Sequence, residues 1–251
     1  MESWKKVLVD RSFLTTTHGE IACWKCHGGN PDASDMSAAH QGLKPDPTHP
    51  DPSTACGECH SDITTPASAS LHYTLAPYRK MLYRRAGQKP EALKSIDSAM
   101  DTHCFYCHGS CGQCHVSRPV SVEGGLVAGH TFTKKPSMTE QCAACHGSRV
   151  GNEYLGKVGL GDVHYKKKTM ECTSCHSAAE LHGDGKTDHR DRYQAGNLPA
   201  CKSCHPSDAG IEQHTIHGDK IQCQVCHSQS YANCFACHVG KDGKGLPYFK
   251  N

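Results

Sequence analysis

The chain has 251 residues and a formal net charge of +2, and 18 of its residues are cysteine and 20 are histidine. Only 36% of the residues are hydrophobic and 6% aromatic, so the side chains alone offer too little apolar mass for the core that a chain of this length ordinarily builds. No run approaches the 18 apolar residues of a membrane span, which argues against a transmembrane helix.

The pattern Cys-x-x-Cys-His recurs from one end of the chain to the other. In chain order, motifs 1 to 9 are CWKCH, CGECH, CFYCH, CGQCH, CAACH, CTSCH, CKSCH, CQVCH and CFACH. Their cysteines are Cys23, Cys26, Cys56, Cys59, Cys104, Cys107, Cys111, Cys114, Cys142, Cys145, Cys172, Cys175, Cys201, Cys204, Cys223, Cys226, Cys234 and Cys237. Their histidines are His27, His60, His108, His115, His146, His176, His205, His227 and His238. Because the motifs use all 18 cysteines, no thiol is left for a disulfide bond or a catalytic nucleophile.

This pattern is the attachment signature of c-type haem. The two cysteines form thioether bonds to the porphyrin, and the adjacent histidine supplies one axial nitrogen to the iron. Zinc sites and thiol redox proteins also use Cys-x-x-Cys pairs, but neither needs a histidine immediately after every second cysteine. The sequence therefore predicts nine covalently bound c-type haems, with the motif histidines as proximal ligands.

Eleven histidines lie outside the motifs, and six-coordinate haems need nine of them as second axial ligands. His49 falls in the proline-rich stretch PDPTHPDPS and His189 in the charged run KTDHRDR, so we expect both to be surface residues. The predicted distal ligands are the other nine, namely His18, His40, His72, His103, His130, His164, His182, His214 and His217. The stretches HGEIAC at His18 and HGDKIQC at His217 are similar, and each ends at the first cysteine of a motif, which supports both assignments. His103 directly precedes Cys104, so we expect it to bind the iron of a neighbouring haem.

The 48-residue interval between motifs 2 and 3 is the only stretch where helices independent of a motif are predicted. A first helix runs from Pro77 to a stop at Gly87, and a second begins with Pro90 at its first position and repeats apolar residues as far as Met100. With about 28 residues per haem, we predict a multihaem cytochrome c fold that is templated by haem, with mostly irregular coil, short α-helices and little or no sheet. Residues 1–251 form one domain in this interpretation, with a minor lobe boundary within 73–100.

Short linkers place some of the predicted haems next to each other. His108 and His115 are seven residues apart, so their α-carbons lie at most about 25 Å apart. CQVCHSQSYANCFACH restrains haems 8 and 9 in the same way. Closely tethered haems with two imidazole ligands each suit electron conduction, because no coordination position is vacant.

The sequence resembles the bis-histidine multihaem c-type cytochromes of metal- and mineral-respiring microbes. The blocks CHGSCGQCHVSRP, ACHGSRVGNEY, CHSAAELHGDG and HTIHGDKIQCQVCH carry the resemblance, which runs through most of residues 18–238. It implies haems stacked alternately in parallel and T-shaped pairs, and a role in extracellular electron transfer. Some such cytochromes polymerise, which implies a filament subunit with haems of successive copies in end-to-end contact.

Two other functions stay open. Octahaem tetrathionate reductases share parts of this layout, so an alternative is a periplasmic oxidoreductase that reduces a nitrogen or sulfur oxyanion at an open haem. All nine motifs end in histidine and distal candidates are abundant, which favours an electron-transfer protein that is not an enzyme. The third hypothesis is storage of haem or electrons without a defined path.

The same chemistry indicates a location and partners. The apolar run VLV near the amino terminus is too short for a signal peptide. Haem is attached to such motifs outside the cytoplasmic membrane, so we expect an exported protein, extracellular or periplasmic, whose signal has been removed. Eighteen propionates would bring the net charge to about −16 with ferrous irons, which disfavours nucleic-acid binding. The expected partners are other redox proteins, an extracellular or mineral electron acceptor, and further copies of the chain.

Overall fold

The computed structural model describes residues 2–100, 109–119, 123–189, 191–206, 210–218, 220–230, 240–241 and 247–248. Roughly half of these residues are helical and very few are in strands. Short helices with little sheet were predicted, although helix takes a larger share than the mostly irregular coil expected from the sequence. The described helices are too short and too polar to cross a membrane.

The α-helices in chain order are α1 (Cys23–His27), α2 (Met36–Ala39), α3 (Gly57–Ala67), α4 (Leu71–Thr74), α5 (Ala76–Arg85), α6 (Pro90–Ala99), α7 (Cys111–His115), α8 (Ala143–His146), α9 (Asn152–Leu155), α10 (Val163–Lys168), α11 (Ala178–Leu181), α12 (Glu212–His217) and α13 (Gln224–His227). Segments of 3₁₀-helix cover Ser3–Val7, Arg11–Thr15, Pro52–Thr54, Cys172–Ser174 and Cys201–Ser203, and π-helical turns cover Met138–Cys142 and Gly147–Gly151. The strands Gly240–Lys241 and Pro247–Tyr248 pair antiparallel.

The two helices predicted between motifs 2 and 3 are confirmed. Helix α5 ends at Arg85, and Gly87 follows with a φ of 67°, a left-handed conformation that glycine adopts at little cost. Helix α6 begins at Pro90, whose missing amide proton is tolerated at a helix start. The helices pack against each other, and the carboxylate of Asp97 accepts hydrogen bonds from Arg79 and Tyr83.

The chain divides into two compact units. Unit 1 comprises residues 1–145 and 178–196, and unit 2 comprises residues 146–177 and 197–251. The stretch 73–100, where a lobe boundary was expected, lies wholly within unit 1. That the whole chain behaves as one domain stays a prediction.

Buried apolar side chains are few among the described residues, and they belong to unit 1. Met100, at 1% exposure, is the most deeply buried. The others are Phe13, Ala69, Leu75, Val116, Met138 and Ala144.

Candidate functional site

Each described Cys-x-x-Cys-His motif folds as a single helical turn. Helices α1 and α7 coincide with motifs 1 and 4. In motif 2 the amide of His60 donates to the carbonyl of Cys56 at 2.8 Å, and the histidines of motifs 6, 7 and 8 make the same bond to their first cysteine at 2.9 Å. Because residues i, i+3 and i+4 of a helical turn share one face, this turn presents two sulfurs and an imidazole together.

The structure places five motif histidines opposite a histidine from elsewhere in the chain. The ring centroids are separated as follows: His18 and His60 by 6.2 Å, His27 and His130 by 5.8 Å, His115 and His182 by 6.2 Å, His164 and His205 by 5.9 Å, and His214 and His227 by 5.9 Å. Each pair therefore joins one predicted proximal ligand to one predicted distal ligand. The first three pairs lie within unit 1 and the other two within unit 2.

This spacing fits two imidazoles on opposite sides of one iron. Two metal–nitrogen bonds of about 2 Å each place the ring centroids roughly 6 Å apart. The interplanar angles range from 28° to 69°. Rotation of either ring about the nitrogen–iron–nitrogen axis leaves the centroid separation unchanged, so the range of angles is compatible with axial ligation.

Three of these imidazoles are oriented through Nδ1. The Nδ1 of His27 lies 2.8 Å from the carbonyl oxygen of Lys44, that of His115 lies 2.7 Å from the carbonyl oxygen of Thr133, and that of His164 lies 2.9 Å from Oδ1 of Asp162. Donation from Nδ1 leaves the lone pair on Nε2 available to a metal, which is how ligating histidines are usually held. The buried Nδ1 atoms of His130 and His214 have no hydrogen-bond partner among the described residues.

The pKa values of three histidines favour the neutral ring, which is the form that binds a metal. Desolvation, followed by the charge of His27, holds the pKa of His130 below its ordinary value. Desolvation and then His115 lower the pKa of His182 in the same way. For His146 the pKa is lowered by desolvation first and by His176 second, so the histidines of motifs 5 and 6 are neighbours in unit 2.

Cysteines of different motifs also lie close together. Burial raises the pKa of the Cys26 thiol, and the next contribution comes from Cys56, so motifs 1 and 2 are neighbours in unit 1. In unit 2, burial and then Cys204 raise the pKa of Cys175, which makes motifs 6 and 7 neighbours. None of the described cysteines forms a disulfide bond.

Three further predicted distal ligands occupy exposed positions in the structure. His40 directs its Nδ1 to the carbonyl oxygen of Met36 at 2.8 Å, and His217 ends α12. Within the described ranges, no ring contact joins either of them to another imidazole. His72 lies on α4, next to Gly109, where an added Cβ would stand 3.7 Å from the Cβ of His72. For all three, ligation stays a prediction.

Some predicted ligands lie outside the described residues. They are His103, Cys104, Cys107, His108, Cys234, Cys237 and His238.

The two histidines set aside as surface residues behave differently. His49 is exposed, as expected. The expectation of a solvated His189 is wrong, because its side chain is only 11% exposed and its Nε2 lies 2.8 Å from Oδ1 of Asp184. That contact lowers the pKa of Asp184 and occupies Nε2, one of the two ring nitrogens through which a histidine can bind a metal. His189 is therefore a structural histidine rather than a solvated one.

An aromatic cluster beside two of the imidazole pairs was not predicted. The ring of Phe132 lies 4.3 Å from that of His18 and 5.7 Å from that of His130, and Phe13 lies 4.5 Å from His130. The cluster therefore connects the His18–His60 pair with the His27–His130 pair inside unit 1. Only the closeness of Phe132 to His130 in the sequence hinted at it.

Among the described residues, no three histidine, cysteine, aspartate or glutamate side chains come together in a way that would hold a metal ion without a cofactor. The geometry instead offers pairs of imidazoles, and one imidazole of each pair shares its helical turn with two cysteines. Comparisons with protein-family models, curated proteins and solved structures find no match for this chain.

Proposed function

We propose that the chain is a nonahaem c-type cytochrome that conducts electrons along a series of closely spaced bis-histidine haems. Each motif would hold one haem through its two cysteines and its histidine, and a histidine from elsewhere would complete the axial pair. Bound haem supplies one-electron chemistry between ferric and ferrous iron. The protein contributes the tethers, the axial imidazoles and the spacing between sites.

The observation that carries the proposal is the set of five imidazole pairs. Each pair combines a motif histidine with a histidine from the predicted distal set, at centroid separations of 5.8 to 6.2 Å. Direct packing of aromatic rings also occurs at such distances, so the distance alone decides little. The combination supports the proposal, because packing without a shared ligand gives no reason to match a motif histidine with a non-motif histidine five times.

A zinc protein is a weaker explanation of the same residues. Structural zinc is bound by four side chains at tetrahedral positions. The described residues offer two facing imidazoles at five sites, with Nδ1 held by protein oxygens in three cases. Two axial nitrogens are what a porphyrin iron requires, since the macrocycle supplies its other four ligands.

At the five sites with paired imidazoles, coordination by both rings would favour electron transfer over catalysis. An iron with two imidazoles has no position for a nitrogen or sulfur oxyanion, which a reductase would need. The neighbouring sites in unit 1, linked by Phe13 and Phe132, offer short paths between successive haems. The chain is accordingly proposed to be an electron carrier rather than an enzyme.

The location and partners follow from this function. Attachment of c-type haem takes place outside the cytoplasmic membrane, so the protein would be periplasmic or extracellular. Its partners would be other redox proteins, a mineral or other extracellular acceptor, and further copies of the chain joined haem to haem in a filament. Electron microscopy at high concentration tests the filament, since uniformly monomeric particles would contradict it.

The central test is to produce the protein in a host that attaches c-type haem and to measure bound haem, metals and spin state. We expect nine haems per chain, no stoichiometric zinc, and an electron paramagnetic resonance spectrum dominated by low-spin ferric iron. A large high-spin signal would support an oxyanion reductase instead. Zinc in place of haem, or far fewer than nine haems, would refute the proposal.

A further inference from the structure

A carboxylate–hydroxyl cluster joins the segment before motif 2 to the first residues of motif 4. In this cluster, which consists of Asp46, Thr48 and Ser110, the Oδ1 of Asp46 accepts hydrogen bonds from the amide of Thr48 at 2.9 Å and from its hydroxyl at 2.6 Å. The Oδ2 of Asp46 accepts a bond from the hydroxyl of Ser110 at 2.5 Å. Thr48 and Ser110 are 5% and 3% exposed, so these bonds are shielded from water.

The cluster reaches motif 4 by a second route. The amide of Gly112, inside α7, donates to the hydroxyl of Thr48 at 3.1 Å. A Cβ added at Gly112 would lie only 3.2 Å from Oδ1 of Asp46. The glycine of CGQCH therefore allows an approach that a larger residue would hinder.

This approach brings sulfurs of two motifs together. The side chains of Cys56, in motif 2, and Cys111, in motif 4, are neighbours, and their contact is the first cause that raises the pKa of the Cys56 thiol. Both cysteines carry thioether bonds in the proposed function. Porphyrin edges attached to adjacent sulfurs are necessarily close to each other.

We propose that Asp46 is a positioning residue that holds motifs 2 and 4 together, so that haems 2 and 4 are neighbours although motif 3 lies between them in the sequence. This inference rests on the proposed function, because it concerns haems that the motifs would hold. A direct step between haems 2 and 4 would then be open to electrons.

The chain provides a matched control for Asp46. Asp51 makes the same local contacts, accepting bonds from the amide of Ser53 at 2.9 Å and from its hydroxyl at 2.8 Å. These bonds stay within its own turn, whereas those of Asp46 extend to Ser110. Asp51→Ala therefore removes an equivalent local turn and a charge while leaving the contact between motifs intact.

The test uses magnetic interaction between haems in the complete holoprotein. Removing the distal ligand of haem 4 with His182→Ala makes that haem high-spin, and a paramagnetic neighbour accelerates its electron-spin relaxation. A reference variant adds Cys56→Ser and Cys59→Ser to His182→Ala, so that haem 2 is missing. It defines the relaxation of haem 4 without that neighbour. Both are measured by power saturation of the high-spin signal.

Adding Asp46→Ala to His182→Ala should slow the relaxation of haem 4 to near the reference value, whereas adding Asp51→Ala should not. Ser110→Ala keeps the carboxylate charge but removes the hydrogen bond between Ser110 and Asp46, so it should also slow the relaxation of haem 4. It keeps the inference testable if the Asp46 variant fails to fold. If Asp46→Ala and Ser110→Ala both keep their full haem content and leave the relaxation of haem 4 unchanged, the inference is overturned and the proposed function still stands. A protein without haem would overturn both.

Discussion

The two units differ in how they cover apolar surface. The described part of unit 1 buries seven apolar side chains, including Phe13, Val116 and Met138, and adds the Asp46 cluster between segments. In the described part of unit 2, no apolar side chain is buried as deeply as these seven. The most deeply buried side chain there is that of Glu153. Leu160 is 99% exposed and Val225 is 69% exposed there, and unit 1 also leaves apolar side chains open, such as Met36 at 77%, so the units differ in what they bury rather than in what they expose.

Apolar side chains left open in this way are costly unless something covers them. Burial of apolar surface contributes about 25 cal/mol per Å². If the proposed haems are present, their macrocycles supply the missing apolar mass in unit 2 and only supplement it in unit 1. The comparison therefore predicts that unit 2 depends on its haems for folding more than unit 1 does.

The largest expected effect comes from removing one haem in each unit. Cys201→Ser with Cys204→Ser would remove the proposed haem 7 from unit 2, and Cys56→Ser with Cys59→Ser would remove the proposed haem 2 from unit 1. We expect the unit 2 variant to lose amide-exchange protection across residues 197–230, because little protein core remains there. The unit 1 variant should keep protection around Met100 and Met138. Equal loss in both variants would remove the proposed difference between the units.

A smaller effect is expected from removing one axial ligand. His182→Ala in unit 1 and His214→Ala in unit 2 should each convert one of nine haems to high spin, which electron paramagnetic resonance and binding of added imidazole would detect. The thermal midpoint should fall further for His214→Ala, because fewer protein contacts remain in unit 2. His189→Ala is the control. The Nε2 of His189 is bound to Asp184, so loss of this side chain should leave the spin state of all haems unchanged.

Local signals in the sequence predicted part of this arrangement. Proline at position 90 and glycine at position 87 mark the limits of α6 and α5, because their backbone preferences act within a single turn. The short helices expected from the sequence are also present, and each described motif forms one helical turn. Five members of the predicted distal set do face a motif histidine.

Contacts between distant segments could not be predicted in this way. The stretches HGEIAC and HGDKIQC look alike, yet His18 faces His60 while His217 has no imidazole contact among the described residues. Which imidazole meets which motif depends on how the chain crosses itself, and a local pattern carries no information about that. The same holds for Asp46 and Ser110, and for His189, whose charged surroundings concealed a specific contact with Asp184.

The aromatic cluster provides a third test, confined to unit 1. Phe132→Ala removes a ring that contacts His18 and His130. Because Phe132 is 38% exposed, we expect the free energy of unfolding to fall by about 2 kcal/mol, less than for a fully buried phenylalanine. Low-spin signals of haems 1 and 2 should shift as their imidazoles reorient. Tyr193→Ala, at a position 62% exposed in the same unit, should change stability by less than about 0.5 kcal/mol.

The smallest effect concerns pH and unit 2. Desolvation, followed by the charge of Asp162, raises the pKa of Tyr154 to about 12, and its hydroxyl donates to the carbonyl oxygen of Met170 at 2.7 Å. An unfolded tyrosine ionises near pH 10. Between these values the unfolded chain releases a proton that the folded chain keeps, so the stability contributed by Tyr154 is complete below about pH 10 and is lost as the pH rises toward 12.

Tyr154→Phe tests this by removing the ionisable group and the hydrogen bond together. Near pH 8 the variant should be less stable by about 1 kcal/mol, the usual contribution of one hydrogen bond. The difference between variant and parent should shrink as the pH rises from 10 to 12, because only the parent loses stability through this group. Tyr193→Phe, which changes an exposed ring, should give parallel curves. If unit 2 unfolds with the same alkaline profile in both parent and Tyr154→Phe, burial of this hydroxyl contributes nothing to the pH dependence.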